Sequence, residues 1–294
     1  MRIRLGTRGS RLALIQSELV ADRLRDADHE IELVSIVTEG DVRPVDMSPG
    51  EGVFVTALER ALASRAIDIA VHSAKDIPLD GQADLVIAAY PERADARDAL
   101  VTRGGGHSLT TLPQRATVGT DSPRRTGFVR SIRPDLRVVP LHGNVDTRLR
   151  RLDEGAVDAL VIAAAGLDRL GRAERIDRRL EADEVAPAPG QGALAIQARA
   201  GDEALLEALR AIDRPDVRFA VELEREVLRA TGGTCRAPVG ALATVAADEF
   251  ELLVAGVNSD GSDRKVERLG GTWPEGLALA AAAGRRLVAA VALR

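Results

Sequence analysis

The only cysteine of this 294-residue chain, Cys235, lies in the stretch GGTCRAPVG, residues 232–240. A structural cysteine usually packs in an apolar segment, whereas this one follows two glycines and precedes Arg236, as in a loop. A neighbouring guanidinium favours the thiolate, which is the reactive form of cysteine, although Arg236 can equally well point into the solvent. The sulfur is therefore a candidate for chemistry. A transient nucleophile is one interpretation, although no histidine lies near it in the sequence.

Asp76 is a second candidate for chemistry. It follows Lys75 in the stretch HSAKDIP, directly after a short apolar run. A neighbouring lysine and aspartate most often form a salt bridge, which is the structural interpretation. Among groups that bind anions, however, an acid that anion binding does not need is a candidate proton donor or a stabiliser of positive charge.

Arginines supply candidate anion-binding groups. Arg8 lies in GTRGS, and Arg124 and Arg125 lie in TDSPRRT, where the free N–H groups of a helix start also attract an anion. Two adjacent guanidiniums repel one another unless an anion binds them, and a carboxylate or a phosphate would fit equally well. Each arginine can instead point into water, but clusters at corresponding strand ends predict a cleft that binds a polyanion. The absence of a glycine-rich P-loop argues against a nucleotide.

A further charged segment, RADARDAL, carries Arg93, Asp95, Arg97 and Asp98. We interpret these residues as a solvated network or as one that braces a hinge. They are therefore not assigned to the site.

Composition argues against several classes of function. The formal net charge is −5 and aromatic residues make up only 2% of the chain, so the sequence lacks the basic field and the stacking groups that bind nucleic acids. The four histidines lie far apart, without metal-ligand spacing, so we expect no metal site. A single cysteine cannot form an internal disulfide, and no apolar run is long enough to span a bilayer. We therefore expect a cytoplasmic protein.

Alternating strands and helices position these residues in the first part of the chain. The segments IRLGT, IELVSIVT, IDIAVHS and LVIAAY are predicted strands, and helices are predicted after Ser10 and over VFVTALERALAS. Several strands are almost wholly apolar, which is typical of a parallel sheet covered on both faces. Because ligands of such sheets bind at the carboxyl ends of the strands, Arg8 and Asp76 are expected at such ends.

The same pattern then repeats. ATVGT, RVVPLHG and DALVIAAAG are predicted strands. Helices are predicted over DSPRRTGFVRSI, with Ser122 as N-cap and Pro123 at the first helical position, and over NVDTRLRRLDEG, with Asn144 as cap and Gly155 near its end. Both halves thus contain a strand, Gly-Thr, a turn with serine and arginine, and a helix, which predicts two similar α/β domains.

The remaining segments predict a crossover and a third domain. The stretch APAPGQGALAIQAR, residues 186–199, combines a connector with a strand that returns to the first domain. A helix over 217–230, the cysteine loop, two or three strands and a closing helix from about Glu275 predict a small α+β domain. The fold class is α/β, with two doubly wound domains and this C-terminal domain. We expect domain boundaries at 1–92 with 193–211, at 98–186 and at 215–294.

Seven motifs, taken together and in order, resemble the porphobilinogen deaminase family, also called hydroxymethylbilane synthases. They are GTRGSRLALIQ, IDIAVHSAKDIP, GTDSPRR, GNVDTRLRRLDEG, AAAGLDRLG, PAPGQGALAI and GGTCRAPVG, and they run nearly the whole chain. The resemblance implies two domains similar to periplasmic binding proteins, with the active site in the cleft between them. It also implies a transferase that deaminates four porphobilinogen molecules and joins them head to tail into linear hydroxymethylbilane, in tetrapyrrole and haem biosynthesis.

The resemblance also implies a cofactor and a set of site residues. On the family pattern Cys235 carries a dipyrromethane through a thioether, and Asp76 is the catalytic aspartate that assists the loss of ammonia and stabilises positive nitrogens. The residues implied in binding the cofactor are Lys75, Asp76, Thr120, Ser122, Arg124, Arg125, Arg148, Gly166 and Cys235, and those implied in binding the substrate are Arg8, Ser10, His142, Arg148 and Arg169. Gln16 matches a polar position whose role stays open. The expected enzyme is a cytoplasmic monomer without a metal, membrane or nucleic-acid partner.

Three residues depart from the family pattern. Glu51 and Thr56 replace common lysines in or beside DVRPVDMSPGEG, a segment we interpret as a lid. His142 replaces a common arginine and would bind a carboxylate more weakly, with a pH dependence. These departures leave open a second hypothesis, an anion-binding protein that has lost catalysis. Cys235 and Asp76 argue against it, because neither is needed to hold a carboxylate.

Overall fold

The structure, a computed structural model, describes residues 1–38, 55–234 and 237–291. The chain divides into two compact units, Met1–Ala94 with Ala193–Arg218, and Asp95–Gly192 with Phe219–Arg294. Within the described residues no helix has the length and apolar character needed to cross a membrane.

The elements follow one another in the order expected of an α/β chain. The strands are β1 (Arg2–Arg8), β2 (Glu30–Ile36), β3 (Ile69–Ser73), β4 (Leu85–Ala89), β5 (Asp98–Thr102), β6 (Thr117–Gly119), β7 (Arg137–Val139), β8 (Ala159–Ala163), β9 (Arg178–Arg179), β10 (Leu194–Arg199), β11 (Val239–Ala246), β12 (Glu249–Val257) and β13 (Arg264–Thr272). The α-helices are α1 (Arg11–Asp26), α2 (Thr56–Ala63), α3 (Pro123–Ile132), α4 (Val145–Asp153), α5 (Ala164–Arg169), α6 (Glu203–Arg210), α7 (Pro215–Ala230) and α8 (Trp273–Ala290).

The first unit contains a five-stranded sheet in the order β2-β1-β3-β10-β4. The prediction that the chain returns to this sheet after residue 186 is confirmed, because β10 lies between β3 and β4. The expected parallel arrangement is wrong for β10. β10 runs antiparallel to both of its neighbours, while β1 is parallel to β2 and β3.

Helices cover both faces of this sheet. The buried side of α1, with Val20 and Leu24, packs into a core with Leu5 and Ile69. On the other face Leu58 of α2 packs close to Gly6 of β1, where an added Cβ would lie 3.2 Å from the leucine Cδ2. The missing side chain of Gly6 therefore allows the helix to approach the strand.

The second unit contains a five-stranded sheet in the order β7-β6-β8-β5-β9. β6 is parallel to β7 and β8, whereas β5 is antiparallel to β8 and β9. The predicted helix starts are confirmed, since Ser122 accepts a hydrogen bond from the Arg125 N–H and Asn144 accepts one from the Thr147 N–H. β7 is shorter than expected, because Pro140 follows Val139 and has no N–H for the ladder.

A three-stranded antiparallel sheet, β11-β12-β13, completes the second unit together with α8 and most of α7. One face of β12 places Leu253, Ala255 and Val257 in the same hydrophobic core as Val118 of β6 and Phe128 of α3. The α+β character expected for the C-terminal region is confirmed, whereas the three domain boundaries given above stay a prediction.

Candidate active site

The predicted residues of the first unit lie at the carboxyl ends of two neighbouring parallel strands. Arg8 is the last residue of β1, and Ser10 caps α1 by accepting a hydrogen bond from the Ala13 N–H (3.3 Å). Lys75 and Asp76 follow β3 in a single 3-10 turn, Ala74–Asp76. Because β1 and β3 are parallel neighbours, these residues share one edge of the sheet.

Asp76 is exposed, while Lys75 is half-buried. The turn that carries them is fixed where it leaves the sheet, because the Ala74 N–H donates to the Ala193 carbonyl (3.0 Å). Next to it the Gln16 side chain is buried and donates from Nε2 to the Ser73 hydroxyl (3.2 Å). The carboxylate of Asp76 is thus accessible from the solvent and attached to a well-anchored strand end.

A chain of buried polar residues begins on β3, the strand before Asp76, and was not predicted from the sequence. His72 Nε2 lies 3.1 Å from Gln197 Oε1, and Gln197 Nε2 donates to Glu59 Oε1 (3.1 Å). Burial lowers the pKa of His72 to about 4; the hydrogen bond with Gln197 opposes this, and the charge of Arg8 adds to it. The imidazole is therefore neutral at neutral pH. The glutamine inside the apolar run LAIQA was the available signal.

In the second unit, Arg124 and Arg125 lie in the first turn of α3 and are only 3% and 6% exposed. The alternative that they point into water is therefore wrong. Both bind Asp98, whose Oδ2 accepts from Arg124 Nη1 (2.8 Å) and whose Oδ1 accepts from Arg125 Nε and Nη2 (3.0 and 2.8 Å). The solvated network expected around Asp98 is likewise wrong, because this carboxylate is fully buried.

The charges of this cluster determine one another's protonation. Burial raises the pKa of Asp98, but the neighbouring Arg124 and Arg125 guanidiniums outweigh burial and hold that pKa well below its ordinary value. Burial lowers the pKa of Arg124 despite the attraction of Asp98, and the like charge of Arg125 adds to the effect. The carboxylate is therefore ionised at neutral pH.

Other predicted residues of the second unit lie shortly after β6 and β7 in the chain. Thr120 is buried directly after β6, and its hydroxyl lies 3.4 Å from the Ser122 N–H. His142 follows β7, and its Nδ1 lies 3.0 Å from Asp121 Oδ1, an acidic neighbour that sequence reasoning missed. Arg148 is half-buried on α4. Parallel β6 and β7 thus bring the two loops together.

Gly166 and Arg169 belong to α5, the short helix after β8. Gly166 is buried in that helix. Arg169 Nη2 donates to the Gly192 carbonyl (2.7 Å), and burial lowers the arginine pKa to about 10, partly countered by Asp168. Arg169 therefore fixes the connector that leads to β10.

Cys235, the predicted attachment residue, lies outside the described residues, as do Arg236 and Glu51. The structure describes the residues on either side. The Ala237 N–H donates to the Thr234 carbonyl (2.9 Å), and Gly232 has a φ of +64°, a conformation that glycine adopts readily. At the end of the motif, a Cβ added to Gly240 would lie 2.7 Å from the Ala186 carbonyl oxygen, so glycine is needed for this close approach.

The same Ala186 carbonyl also accepts a hydrogen bond from Arg124 Nη1. The end of the cysteine motif and Arg124 therefore contact one backbone group. No cluster of three or more histidine, cysteine, aspartate or glutamate side chains suited to a metal ion occurs in residues 1–38, 55–234 and 237–291.

Comparison with known proteins gives two family matches. The model described as "Porphobilinogen deaminase, dipyromethane cofactor binding domain" matches residues 3–207, and "Porphobilinogen deaminase, C-terminal domain" matches residues 218–289. Porphobilinogen deaminase of Roseiflexus castenholzii (strain DSM 13941 / HLO8) is 47% identical over 253 residues, covering 84% of this chain and 83% of the relative. That of Acidothermus cellulolyticus (strain ATCC 43068 / DSM 8971 / 11B) is 46% identical over 294 residues, covering 98% and 87%.

A solved structure of the methionine-binding protein MetQ aligns with 74% of this chain and 92% of its own length, at 16% identity and a TM-score of 0.46.

Proposed function

Because the chain belongs to the porphobilinogen deaminase family and is a transferase that joins porphobilinogen head to tail into hydroxymethylbilane, we propose that it builds this product on a dipyrromethane attached to Cys235. Asp76 is the catalytic acid in this proposal. The arginines and hydroxyl groups at the strand ends bind the carboxylates of the cofactor and of the substrate.

One observation supports these roles above all. Nearly all the proposed site residues of the described chain lie at or just after the carboxyl end of a parallel strand: Arg8 ends β1, Lys75 and Asp76 follow β3, Thr120 and Ser122 follow β6, His142 follows β7, and Gly166 and Arg169 follow β8. In α/β sheets this is the edge at which ligands bind. Arg148 lies one turn into α4, close behind the loop of His142.

The donor groups of the second unit fit a dipyrromethane. Each porphobilinogen unit carries two carboxylates, so a cofactor made from two units requires cationic and hydroxyl donors. Arg124 and Arg125 supply buried guanidiniums, and Thr120 and Ser122 supply hydroxyls beside the free N–H groups of α3. When bound, the dipyrromethane supplies the pyrrole ring to which the first porphobilinogen is joined.

Asp76 is proposed to act on the nitrogen chemistry of the substrate. The leaving group is ammonia, so the aminomethyl nitrogen must carry a proton as it departs, and positive charge then develops on the pyrrole. An exposed carboxylate at a fixed strand end can hold the proton at Oδ and attract the developing charge. Arg8 and Lys75, on the same edge, would hold substrate carboxylates.

The attachment to Cys235 is tested by the intact mass of the denatured protein. We expect the wild type to exceed the mass of its sequence by one dipyrromethane, and Cys235→Ser to lack that excess. Thr234→Ser, which changes a neighbouring hydroxyl residue and keeps the thiol, is the matched control and should retain the cofactor. An active wild-type enzyme with an unmodified mass would contradict the proposal.

The role of Asp76 is tested by Asp76→Asn, which preserves shape and removes the negative charge. We expect kcat to fall at least ~10²-fold, because general acid and electrostatic contributions of this size depend on the carboxylate. The circular dichroism spectrum and cofactor mass should be unchanged. Asp80→Asn, a change at another exposed aspartate nearby, should retain near-normal turnover. Near-normal turnover of Asp76→Asn would instead assign the proton chemistry to another group.

The proposal also covers the metal content, the cellular location and the oligomeric state of the enzyme. We propose a metal-free cytoplasmic monomer, supported by the single cysteine, which cannot form an internal disulfide and suits a reducing compartment. Size-exclusion chromatography with light scattering would test the monomer, and elemental analysis of the active enzyme would test the absence of metal.

A further inference from the structure

Asp98 is the most completely enclosed charge of the candidate site. The residue is 0% exposed at the start of β5, and its two oxygens accept from both arginines of α3. Gln191 Nε2 adds a further hydrogen bond to Oδ1 (2.9 Å), so the carboxylate accepts from four side-chain donor atoms, one on Arg124, two on Arg125 and one on Gln191. Asp98 thus occupies the position in which a ligand carboxylate would otherwise be expected.

The surrounding groups fix the arrangement. Gln191 is fully buried, donates to the Ala96 carbonyl (2.7 Å), and lies 3.3 Å from Arg125 Nη2 through its Oε1. Arg124 Nη1 also donates to the Ala186 carbonyl. The guanidinium groups are therefore held by two connecting segments of the chain. One is 95–98, which includes Asp98, and the other is 186–192.

The net charge of this cluster follows from its members. Two guanidiniums and one carboxylate leave one positive charge, and the pKa of Asp98 keeps the carboxylate ionised. Without the carboxylate, two adjacent cations would be buried at the positive end of a helix dipole, an arrangement that is strongly unfavourable. An internal anion makes the arginine pair stable before any ligand binds.

We propose that Asp98 is a positioning and specificity-determining residue: an internal counter-ion that takes one of the two anion positions on Arg124 and Arg125 and leaves the pair for a single ligand carboxylate. This inference rests on the proposed binding of ligand carboxylates by these arginines. Asp98 itself touches neither substrate nor cofactor in this role. It sets the orientation of the guanidiniums and the number of anions that they bind.

Asp98→Asn tests the proposal in the holoenzyme, because asparagine has nearly the same shape without the charge. The melting temperature is measured in sodium succinate and in sodium chloride of equal ionic strength. We expect succinate to raise the melting temperature of Asp98→Asn by about 3 °C or more over chloride, since an added carboxylate replaces the missing one. The wild type should shift by less than about 1 °C.

Two further variants separate charge from shape. Asp95→Asn removes another aspartate of the same connector, one that binds Arg97 and Arg179 and does not touch α3, so its response to succinate should equal that of the wild type. Asp98→Glu keeps the charge and should melt closer to the wild type in chloride than Asp98→Asn does. If Asp98→Asn does not fold in chloride, its refolding yield in the two salts replaces the melting temperature.

Either of two results would overturn the inference. One is an Asp98→Asn protein that is destabilised but responds to succinate as the wild type does. The other is an Asp98→Glu protein as unstable as Asp98→Asn, because shape and not charge would then be decisive. The intact-mass experiment on Cys235 is independent of both results, so a failure of the proposed function is recognised separately.

Discussion

His72 shows at the scale of one residue how burial changes protonation. Its imidazole is buried on β3, the strand that precedes Asp76, and is held by Gln197, which is held in turn by Glu59. Since Gln197 uses its amide N–H on the Glu59 carboxylate, its oxygen accepts from His72 and requires the proton on Nε2. The polar chain therefore stabilises one neutral form of the imidazole.

This arrangement makes stability depend on pH. The pKa of His72 falls from 6.5 to about 4 on folding, so between these values the unfolded chain binds a proton that the folded chain does not. Stability is therefore present above pH 6.5 and is lost as the pH falls towards 4. From pH 7 to pH 5 the loss from this one residue is about 2 kcal/mol.

His72→Gln should remove this contribution to the pH dependence, because glutamine does not titrate and can still donate to Gln197. Urea unfolding at pH 7 and pH 5 measures the difference in the free energy of unfolding between the two conditions. We expect that difference to shrink by about 2 kcal/mol in His72→Gln. His29→Gln, which removes a histidine outside the polar chain, should leave it as in the wild type. An unchanged difference in His72→Gln would show that His72 titrates alike in both states.

The candidate site itself was partly predictable from single residues. Serine before proline and arginine identified the cap of α3, because capping depends on residues three positions apart. The partner of the arginines was not predictable in the same way. Asp98 precedes Arg124 by 26 residues and meets it only through the pairing of β5 with β8 and of β8 with β6. A single acidic residue at the start of an apolar strand was the only local signal.

At the scale of elements, β12 is buried on both faces. Leu253 faces the core that contains Val118 and Phe128, whereas the ring of Phe250 lies 6.0 Å from that of Phe219, and Gly256 approaches Leu287 of α8. Because side chains alternate along a strand, Leu252 lies on the same face as Phe250. One strand therefore joins the helices of the C-terminal region to the larger sheet of the second unit.

Leu253→Ala should weaken both sheets of the second unit together. Removing the side chain leaves a cavity in their shared core and should cost about 2–5 kcal/mol of unfolding free energy. Native-state hydrogen exchange should show lost protection in β6 and β8 as well as in β11 and β12. Leu252→Ala, the same change on the opposite face, should lower protection mainly in the C-terminal sheet, α7 and α8. If Leu253→Ala left β6 and β8 protected, the two sheets would be independent.

Elements with a complete local pattern agreed with their predictions. α4 begins after its asparagine cap and ends before Gly155, whose φ is +79°, as the sequence indicated. The direction of β10 was not predictable, because an apolar run carries no information about its partner strand. The direction of β5 was not predictable either. β5 lies antiparallel to β8, whereas β6 lies parallel to both β7 and β8.

At the scale of the whole molecule, family membership and the positions of the polar residues agree on one activity. Sequence motifs identified the reaction, and the two sheets place the proposed groups at strand ends in each unit. The cleft expected between two domains stays a prediction of the resemblance.

The place of β10 also has a consequence during synthesis on the ribosome. Among the described strands, β4 has only β10 as a neighbour in the order β2-β1-β3-β10-β4, and β10 is translated more than a hundred residues after β4. The nascent chain must therefore carry β3 and β4 with unpaired edges until Arg199 has left the exit tunnel. The strands of the second sheet are all present once Arg179 has emerged. The part of the enzyme that is made first is thus the later of the two to complete its sheet, and a holding chaperone would have its longest opportunity there.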